Sequence, residues 1–167
     1  MNPEQILLSK IYALPALQLI IEDWKNKGDK VVFTNGVFDL LHIGHVTYLA
    51  KAAALGSKLI IGLNADASVK RIKGPERPVN DQNSRAILLA AMFFVDAIVV
   101  FEEDTPLELI KALLPDVLIK GADYAIDNIV GAKEVLANGG DVHTIEFVDG
   151  YSSTSIIQKI RKQGNGS

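Results

Sequence analysis

Two histidines three residues apart, His42 and His45, stand where a β-branched run has met a glycine turn and a helix is about to begin. The run is Val31-Val32-Phe33-Thr34-Asn35-Gly36, and Val37-Phe38-Asp39-Leu40-Leu41 carries the chain to the pair. The whole chain has three histidines, so two in one four-residue window mark it out. The first turn of a helix has unpaired N–H groups and a positive dipole end, which favour phosphate. Imidazoles placed there add donors that can become cationic near neutral pH. Gly36 allows close backbone approach, and Gly44 leaves room for a ligand between the histidines. This suits binding a polyphosphate and stabilising charge as a phosphate bond breaks. A zinc site would need a further carboxylate, histidine or cysteine close by, and none completes a compact set. No protein-ligated metal is expected.

Other clusters carry related chemistry. Lys70-Arg71-Ile72-Lys73-Gly74-Pro75-Glu76-Arg77-Pro78 holds four cations in eight residues, with a glycine and two prolines. It could clamp a triphosphate or a phosphorylated co-substrate, or it could be a solvated basic loop. Asp149-Gly150-Tyr151-Ser152-Ser153-Thr154-Ser155 enters the last helix. Its hydroxyls and free amides suit phosphate as well as simple capping by Ser153 or Thr154. Lys120-Gly121-Ala122-Asp123-Tyr124 and Asn64-Ala65-Asp66 each follow a strand, at the sheet edge where nucleotides are recognised. Arg85 opens an apolar helix and reads equally as a salt-bridge partner. His143 lies within a strand and reads as a packed histidine. Asp96 reads as ending a helix and starting a strand.

Hydrophobic periodicity supplies the elements that must position these groups. A helical preface with Pro15 near a start, and Leu17, Ile20, Ile21 and Trp24 on one face, ends at Gly28. Strands are expected at Lys30–Thr34, Lys58–Leu63, Ala97–Phe101, Val117–Ile119 and Val142–Phe147. A helix with Val46, Leu49, Ala50 and Ala53 on its apolar face stops at Gly56. Asn64–Val79 reads as a polar loop, and Asp81–Phe94 as an apolar helix. Thr105-Pro106-Leu107-Glu108 reads as a capping box opening a helix to Leu114. Ile129–Ala137 is a helix ended by Gly139-Gly140, and Ser153–Arg161 is the last, with Ile156, Ile157 and Ile160 inward. Strands alternating with helices imply an α/β fold, a doubly wound five-stranded parallel sheet. The expected organisation is a helical extension over 1–28, one nucleotide-binding domain over 29–163 and a flexible tail over 164–167.

Composition narrows the class. The 167 residues suit one domain with a substantial core. Apolar residues make up 49% and charged residues 22%, ordinary globular usage. The net charge of −3 argues against a general nucleic-acid surface. The absence of cysteine excludes disulfides and thiolate-held metals. The longest apolar stretch, 86–101, is interrupted by Asp96 and falls short of the ~20 residues of a spanning helix. The first residues lack a basic signal region, so a soluble cytoplasmic protein is expected, without membrane contact. The apolar preface is a surface that a homodimer could use.

His42-Ile43-Gly44-His45 resembles the HxGH signature of the cytidylyltransferase-like nucleotidyltransferase superfamily. Further segments are similar to one branch of it: 34–42, 71–80, 101–106, 120–124 and 150–154. That branch is the adenylyltransferase that makes ADP-heptose from a heptose 1-phosphate and ATP, often as half of a bifunctional kinase–adenylyltransferase. The likeness covers roughly residues 28–163. It implies a Rossmann-like fold, and Mg²⁺ bound mainly through nucleotide phosphates. A separate upstream heptose kinase is expected, and a product that feeds lipopolysaccharide core or surface-layer glycan.

By the same resemblance His42, His45 and Lys73 are catalytic, with Lys73 between the two substrates' phosphates. Thr34, Asn35, Gly36, Phe38, Asp39, Gly44, Asn64, Asp66, Lys120, Gly121, Asp123, Ser152, Ser153 and Thr154 bind the nucleotide. Arg71, Arg77 and Arg85 are candidates for the substrate phosphate. Cytidylyltransferases for choline phosphate and glycerol phosphate carry arginine three residues before the final glycine, where this chain has Phe147. Glycerol-3-phosphate cytidylyltransferase is therefore the weaker rival, and a non-catalytic nucleotide-binding module is the other. The residues do not decide purine against pyrimidine.

Overall fold

A computed structural model describes residues 1–164. The middle of its sheet is made by the apolar runs β2 (Val31–Gly36), β3 (Lys58–Asn64), β4 (Ala97–Phe101) and β5 (Val117–Gly121). They are buried almost throughout, as strands covered on both faces must be. Two edge strands complete the sheet, β1 (Ile11–Tyr12) and β6 (Asp141–Ile145). All pairings are parallel, in the order β1-β4-β3-β2-β5-β6.

Helices cover both faces. α3 (Ile43–Ala53) and α5 (Gln82–Ala90) close one core through Tyr48, Leu49, Ala52, Ala86 and Leu89. α2 (Leu14–Asn26), α6 (Leu107–Leu113) and α7 (Ala132–Ala137) close the other through Leu17, Ile21, Ile110 and Val135. Short α1 (Pro3–Leu8), α4 (Asp66–Lys73) and the last helix α8 (Ser153–Gly164) lie at the margins.

The α/β architecture and the parallel sheet are as expected, with six strands rather than five. The sixth is β1, too short to show a period, and it joins the segment expected as an extension to the β4 edge. The expected loop 64–79 contains α4, an eight-residue helix that buries only Ser68 and Val69. So few buried apolar positions give little periodic signal. The Thr105–Glu108 capping box does not form. Pro106 is the N-cap, so Thr105 falls one position too early. α5 stops at Ala90, where the Lys10 ammonium donates to the Ala90 and Met92 carbonyls (3.0 and 3.1 Å). α7 begins only at Ala132, after Gly131 in the left-handed region. Val46 and Ala50 are exposed, and Tyr48 and Ala52 are buried instead. His143 is exposed rather than packed, because β6 is an edge strand. Ile160 is exposed as well. Gly164 closes α8, and 165–167, the rest of the expected tail, lie outside the described residues.

The chain runs β2, β3, β4 to one side and β5, β6 to the other, so strand order reverses between β2 and β5. These two strands pair at only two positions, Val32 with Val117 and Phe33 with Leu118, whereas β2 pairs β3 at six. Beyond them the Thr34 hydroxyl donates to the Ile119 carbonyl (3.1 Å) and bonds the Tyr48 hydroxyl (2.8 Å). The sheet thus opens at its carboxyl edge, the position at which such folds bind ligands.

Candidate active site

A cleft of about 560 Å³ occupies that opening. From the turn after β2 it takes Asn35, Gly36, Val37, Phe38 and Asp39, and from the start of α3 it takes His42, His45 and Tyr48. Lys73 and Arg77 reach it from the end of α4 and the loop beyond. The facing wall is Lys120, Gly121, Asp123 and Tyr124 after β5, Phe147 after β6, and Tyr151 to Thr154 at the start of α8.

The histidines are fixed by local geometry. His42 is the N-cap of α3, and its Nδ1 accepts the Gly44 N–H (3.1 Å). The cap leaves Nε2 as the protonated nitrogen of neutral His42. The ring folds back over the helix start, where a Cβ on residue 44 would meet it at 2.9 Å. The room that Gly44 provides is therefore taken by His42 rather than by a ligand. The two imidazoles stack with centroids 3.8 Å apart. Burial, joined by the neighbouring His42 and opposed weakly by the Leu40 carbonyl, pushes His45 down to about 4. Burial lowers His42 too. Both rings are therefore neutral donors in the unliganded cleft at neutral pH. His45 Nδ1 and Asn35 Oδ1 are buried without a hydrogen-bond partner among the described residues. Phe38 holds a left-handed backbone (φ 46°) and sets its ring edge-on to His45 at 5.2 Å. For a bulky residue that conformation costs about 1–2 kcal/mol. Phe38 thus props the histidine rather than facing the cleft with its whole ring.

Asp39 and Arg85 are buried. Asp39 accepts from Arg77 Nε (2.6 Å) and from the Val79 and Asn80 N–H groups (2.9 Å each). Burial alone would raise its pKa, but the Asn80, Val79 and Arg77 hydrogen bonds outweigh it and hold the carboxyl below its ordinary value. Arg85 donates to the carbonyls of Val37 (2.7 Å), Asn64 (2.8 Å) and Asn80 (3.0 Å) and to the Asp66 carboxylate (2.8 Å). These two residues clasp the histidine turn to the 77–80 loop.

Several expected residues therefore stand outside the cleft. Arg85 and Asn64, both buried, and the partly exposed Asp66 belong to one network, and Asn64 Nδ2 also donates to Ser68 (3.0 Å). Arg71 turns away to Asp104 (2.8 Å) and the Glu102 carbonyl. Thr34 is used in bridging β2 to β5, and Gly44 lies beneath His42. Among the α8 hydroxyls, Ser152 caps the helix by exchanging bonds with Ser155, and Ser153 exchanges bonds with the Leu40 backbone. Thr154 is exposed at the cleft. Burial lowers the Lys120 pKa, opposed by Asp123.

The structure adds Val37, Tyr48, Tyr124, Phe147 and Tyr151 to the lining. Tyr48 is three residues from His45 on α3, so helical spacing alone could have placed it there. Phe147 and Tyr151 are aromatics at strand and helix ends, a weaker signal. Among the described residues no three of His, Cys, Asp and Glu gather as a metal-holding group, and no helix is long and apolar enough to cross a membrane.

A family model described as cytidylyltransferase-like matches residues 33–159. The bifunctional protein HldE of Cronobacter sakazakii (strain ATCC BAA-894) is 58% identical over 138 residues, which cover 83% of this chain and 29% of that protein. HldE of Escherichia coli O139:H28 (strain E24377A / ETEC) is 53% identical over 150 residues, covering 90% and 31%. The chain thus spans less than a third of either relative's length. A lipopolysaccharide core biosynthesis protein from Thermoplasma volcanium GSS1 superimposes with a TM-score of 0.58 at 28% identity, over 75% of this chain and all of that one. A pantoate-beta-alanine ligase from Francisella tularensis, solved with beta-gamma ATP and beta-alanine, superimposes with a TM-score of 0.57 at 15% identity. It covers 91% of this chain and 77% of its own, a likeness of fold.

Proposed function

The chain belongs to the cytidylyltransferase-like family of nucleotidyltransferases, and we propose that it transfers the adenylyl group of ATP to a heptose 1-phosphate, giving ADP-heptose and pyrophosphate. The observation that carries this reading is the meeting of His42, His45, Lys73 and Arg77 with the start of α8 in one cleft at the switch point. The high identity to the bifunctional HldE proteins fits the heptose branch that the sequence resembles. One structural relative is a lipopolysaccharide core biosynthesis protein, where a heptose donor would be consumed. The acceptor is the product of a heptose kinase, and ATP as donor fits the cytoplasm.

In this reading a phosphate oxygen of the sugar phosphate bonds to the α-phosphorus, the bond from it to the bridging oxygen breaks, and pyrophosphate leaves. The acceptor is already anionic, so alignment and charge stabilisation are the work to be done. His42 donates from Nε2, because its Nδ1 is held by the Gly44 N–H. His45 donates beside it, and the approach of a polyanion raises both imidazole pKa values from their lowered resting state. Lys73, at the exposed end of α4, neutralises both phosphates. Arg77 offers its outer nitrogens, while Asp39 holds its Nε. Thr154 and the first amides of α8 meet the β- and γ-phosphates. The cleft's carboxylates are Asp39, occupied by its hydrogen bonds, and Asp123. That donor set fits a Mg²⁺ ion that would be carried mainly by the phosphates. When bound, the ion supplies charge neutralisation.

The test is pyrophosphate release with Mg²⁺, comparing ATP, CTP and GTP with and without heptose 1-phosphate. Release with ATP that depends on the sugar phosphate is expected, and His45→Ala should lower it on the order of 100-fold. Release with CTP alone, or unchanged turnover in His45→Ala, would overturn the reading of substrate or of residue roles respectively.

A further inference from the structure

We infer that Phe147 is the platform on which the nucleotide's base stacks, and that it makes the cleft prefer purines over pyrimidines. The inference rests on the proposed use of the cleft for a nucleoside triphosphate, and it supplies a base preference that the sequence alone left open. Phe147 is 50% exposed, yet it is held on two sides. Its ring stacks on that of Tyr48, with centroids 5.0 Å apart and planes 20° from parallel. Tyr48 is itself buried and tied by its hydroxyl to Thr34. The edge of the Phe147 ring lies against the backbone of Gly121, where an added Cβ would sit 2.1 Å from Cε2 and 2.7 Å from Cζ. Any side chain at position 121 would expel the ring. Glycine there is explained by the ring, and the ring's open part lines the cleft.

An apolar ring fixed in place and left half open to a polar cleft is suited to a flat apolar partner. The other polar and aromatic groups divide accordingly. Tyr151 stacks on His42 at 6.5 Å and so belongs to the phosphate end. Lys120, next to Gly121 in the chain, sits over the Tyr124 ring at 5.7 Å, and both line the cleft with Phe147. The base end is therefore the β5–β6 side, and the phosphate end is the α3–α8 side. Stacking grows with the overlap of π-faces and does not read hydrogen-bond edges. A two-ring base covers more of the platform than a one-ring base, so ATP and GTP are favoured over CTP and UTP, and A is not separated from G by this residue.

The experiment is calorimetric titration of the intact chain with Mg²⁺ and ATP, CTP or tripolyphosphate. The wild type should bind ATP more tightly than CTP, and tripolyphosphate less tightly than either. Phe147→Ala should weaken ATP on the order of 10- to 100-fold, weaken CTP less and leave tripolyphosphate unchanged. Phe147→Leu, which keeps apolar bulk without a flat face, should behave like Phe147→Ala. Phe147→Trp should restore ATP binding, with indole emission quenched on saturation. ATP binding indifferent to Phe147→Ala, equal losses of ATP and tripolyphosphate, or a wild type that binds CTP as well as ATP would overturn the platform while leaving the phosphate site standing. A wild type that binds none of the three ligands would overturn the functional reading with it.

Discussion

Asp39, in the wall that follows β2, and Arg85, behind it, are buried and held by several hydrogen bonds each, whereas α8 on the facing wall buries no side chain at all. One wall is welded to the sheet. The other is fastened by the exchange of bonds between Ser153 and the Leu40 backbone, by two half-buried isoleucines, Ile156 and Ile157, and by a surface ion pair from Arg161 to Glu76 (2.6 Å). The contrast separates two tasks. In the proposed reaction the histidines meet a developing charge, which needs fixed positions. A segment that, in the same proposal, meets a polyphosphate can be left less stable, since ligand-binding segments are drawn from the weakly held parts of a fold.

The largest break in that contrast comes from Arg85→Leu. It strands the Val37, Asn64 and Asn80 carbonyls and the Asp66 carboxylate, all acceptors that Arg85 satisfies. Removing one partner of a buried network of this kind costs about 3–5 kcal/mol, and the exposed part of Asp66 places the expectation near the low end. Denaturant unfolding should show that loss. A change below about 1 kcal/mol would mean that the clasp does not stiffen this wall.

A smaller effect, confined to acid, comes from His45. Its folded value of about 4 lies below the ordinary 6.5, so between these values the unfolded chain binds more protons than the folded one. Stability should therefore fall as pH drops from about 6.5 towards 4, and level out below. His42 acts in the same direction, whereas the lowered carboxyl of Asp39 acts below 3.8. His45→Gln should flatten the slope of unfolding free energy against pH without abolishing it. An unchanged slope would show that the ring is not held neutral by burial.

The welded wall is also the less legible in sequence. The strands β2 to β5 announce themselves as continuous apolar runs, and the His42–His45 window is unmistakable in type and spacing. Asp39, Asn64 and Asp66 look like ligand-binding residues in sequence because they are polar and follow strands, while Arg85, opening an apolar helix, reads equally as a salt-bridge partner. Only the fold shows that Arg85 binds Asn64 and Asp66, and that Asp39 is held by Arg77 and the Val79 and Asn80 amides. A pattern of residue types cannot tell a polar group that faces a ligand from one that satisfies a buried carbonyl, because both need the same chemistry. Phe147 is illegible for the opposite reason. An aromatic just past a strand reads as ordinary apolar surface until Gly121 and Tyr48 are seen to hold it.

The soft wall offers the finest test, because its fastenings differ in kind. Ser153 donates to the Leu40 carbonyl at 3.0 Å and accepts the Leu40 N–H at 3.3 Å, both partly buried. Such bonds contribute about 0.5–1.5 kcal/mol each. The Arg161–Glu76 pair is two-thirds or more exposed on both sides, and exposed pairs contribute between about 0 and 1 kcal/mol and weaken with salt. Ser153→Ala should therefore raise amide exchange throughout α8 and weaken ATP binding a few-fold, with global stability nearly unchanged. Arg161→Ala should do less than that, and nothing at high salt. Since Ser153 joins α8 to the segment leading into His42, its loss should also be repaired by saturating ATP, which in the proposed binding mode fastens the same two elements from the cleft side. If exchange in α8 is already as slow as in the buried strands, and neither variant changes it, then the helix is held by its half-buried isoleucines. The two walls would then differ in composition but not in stiffness.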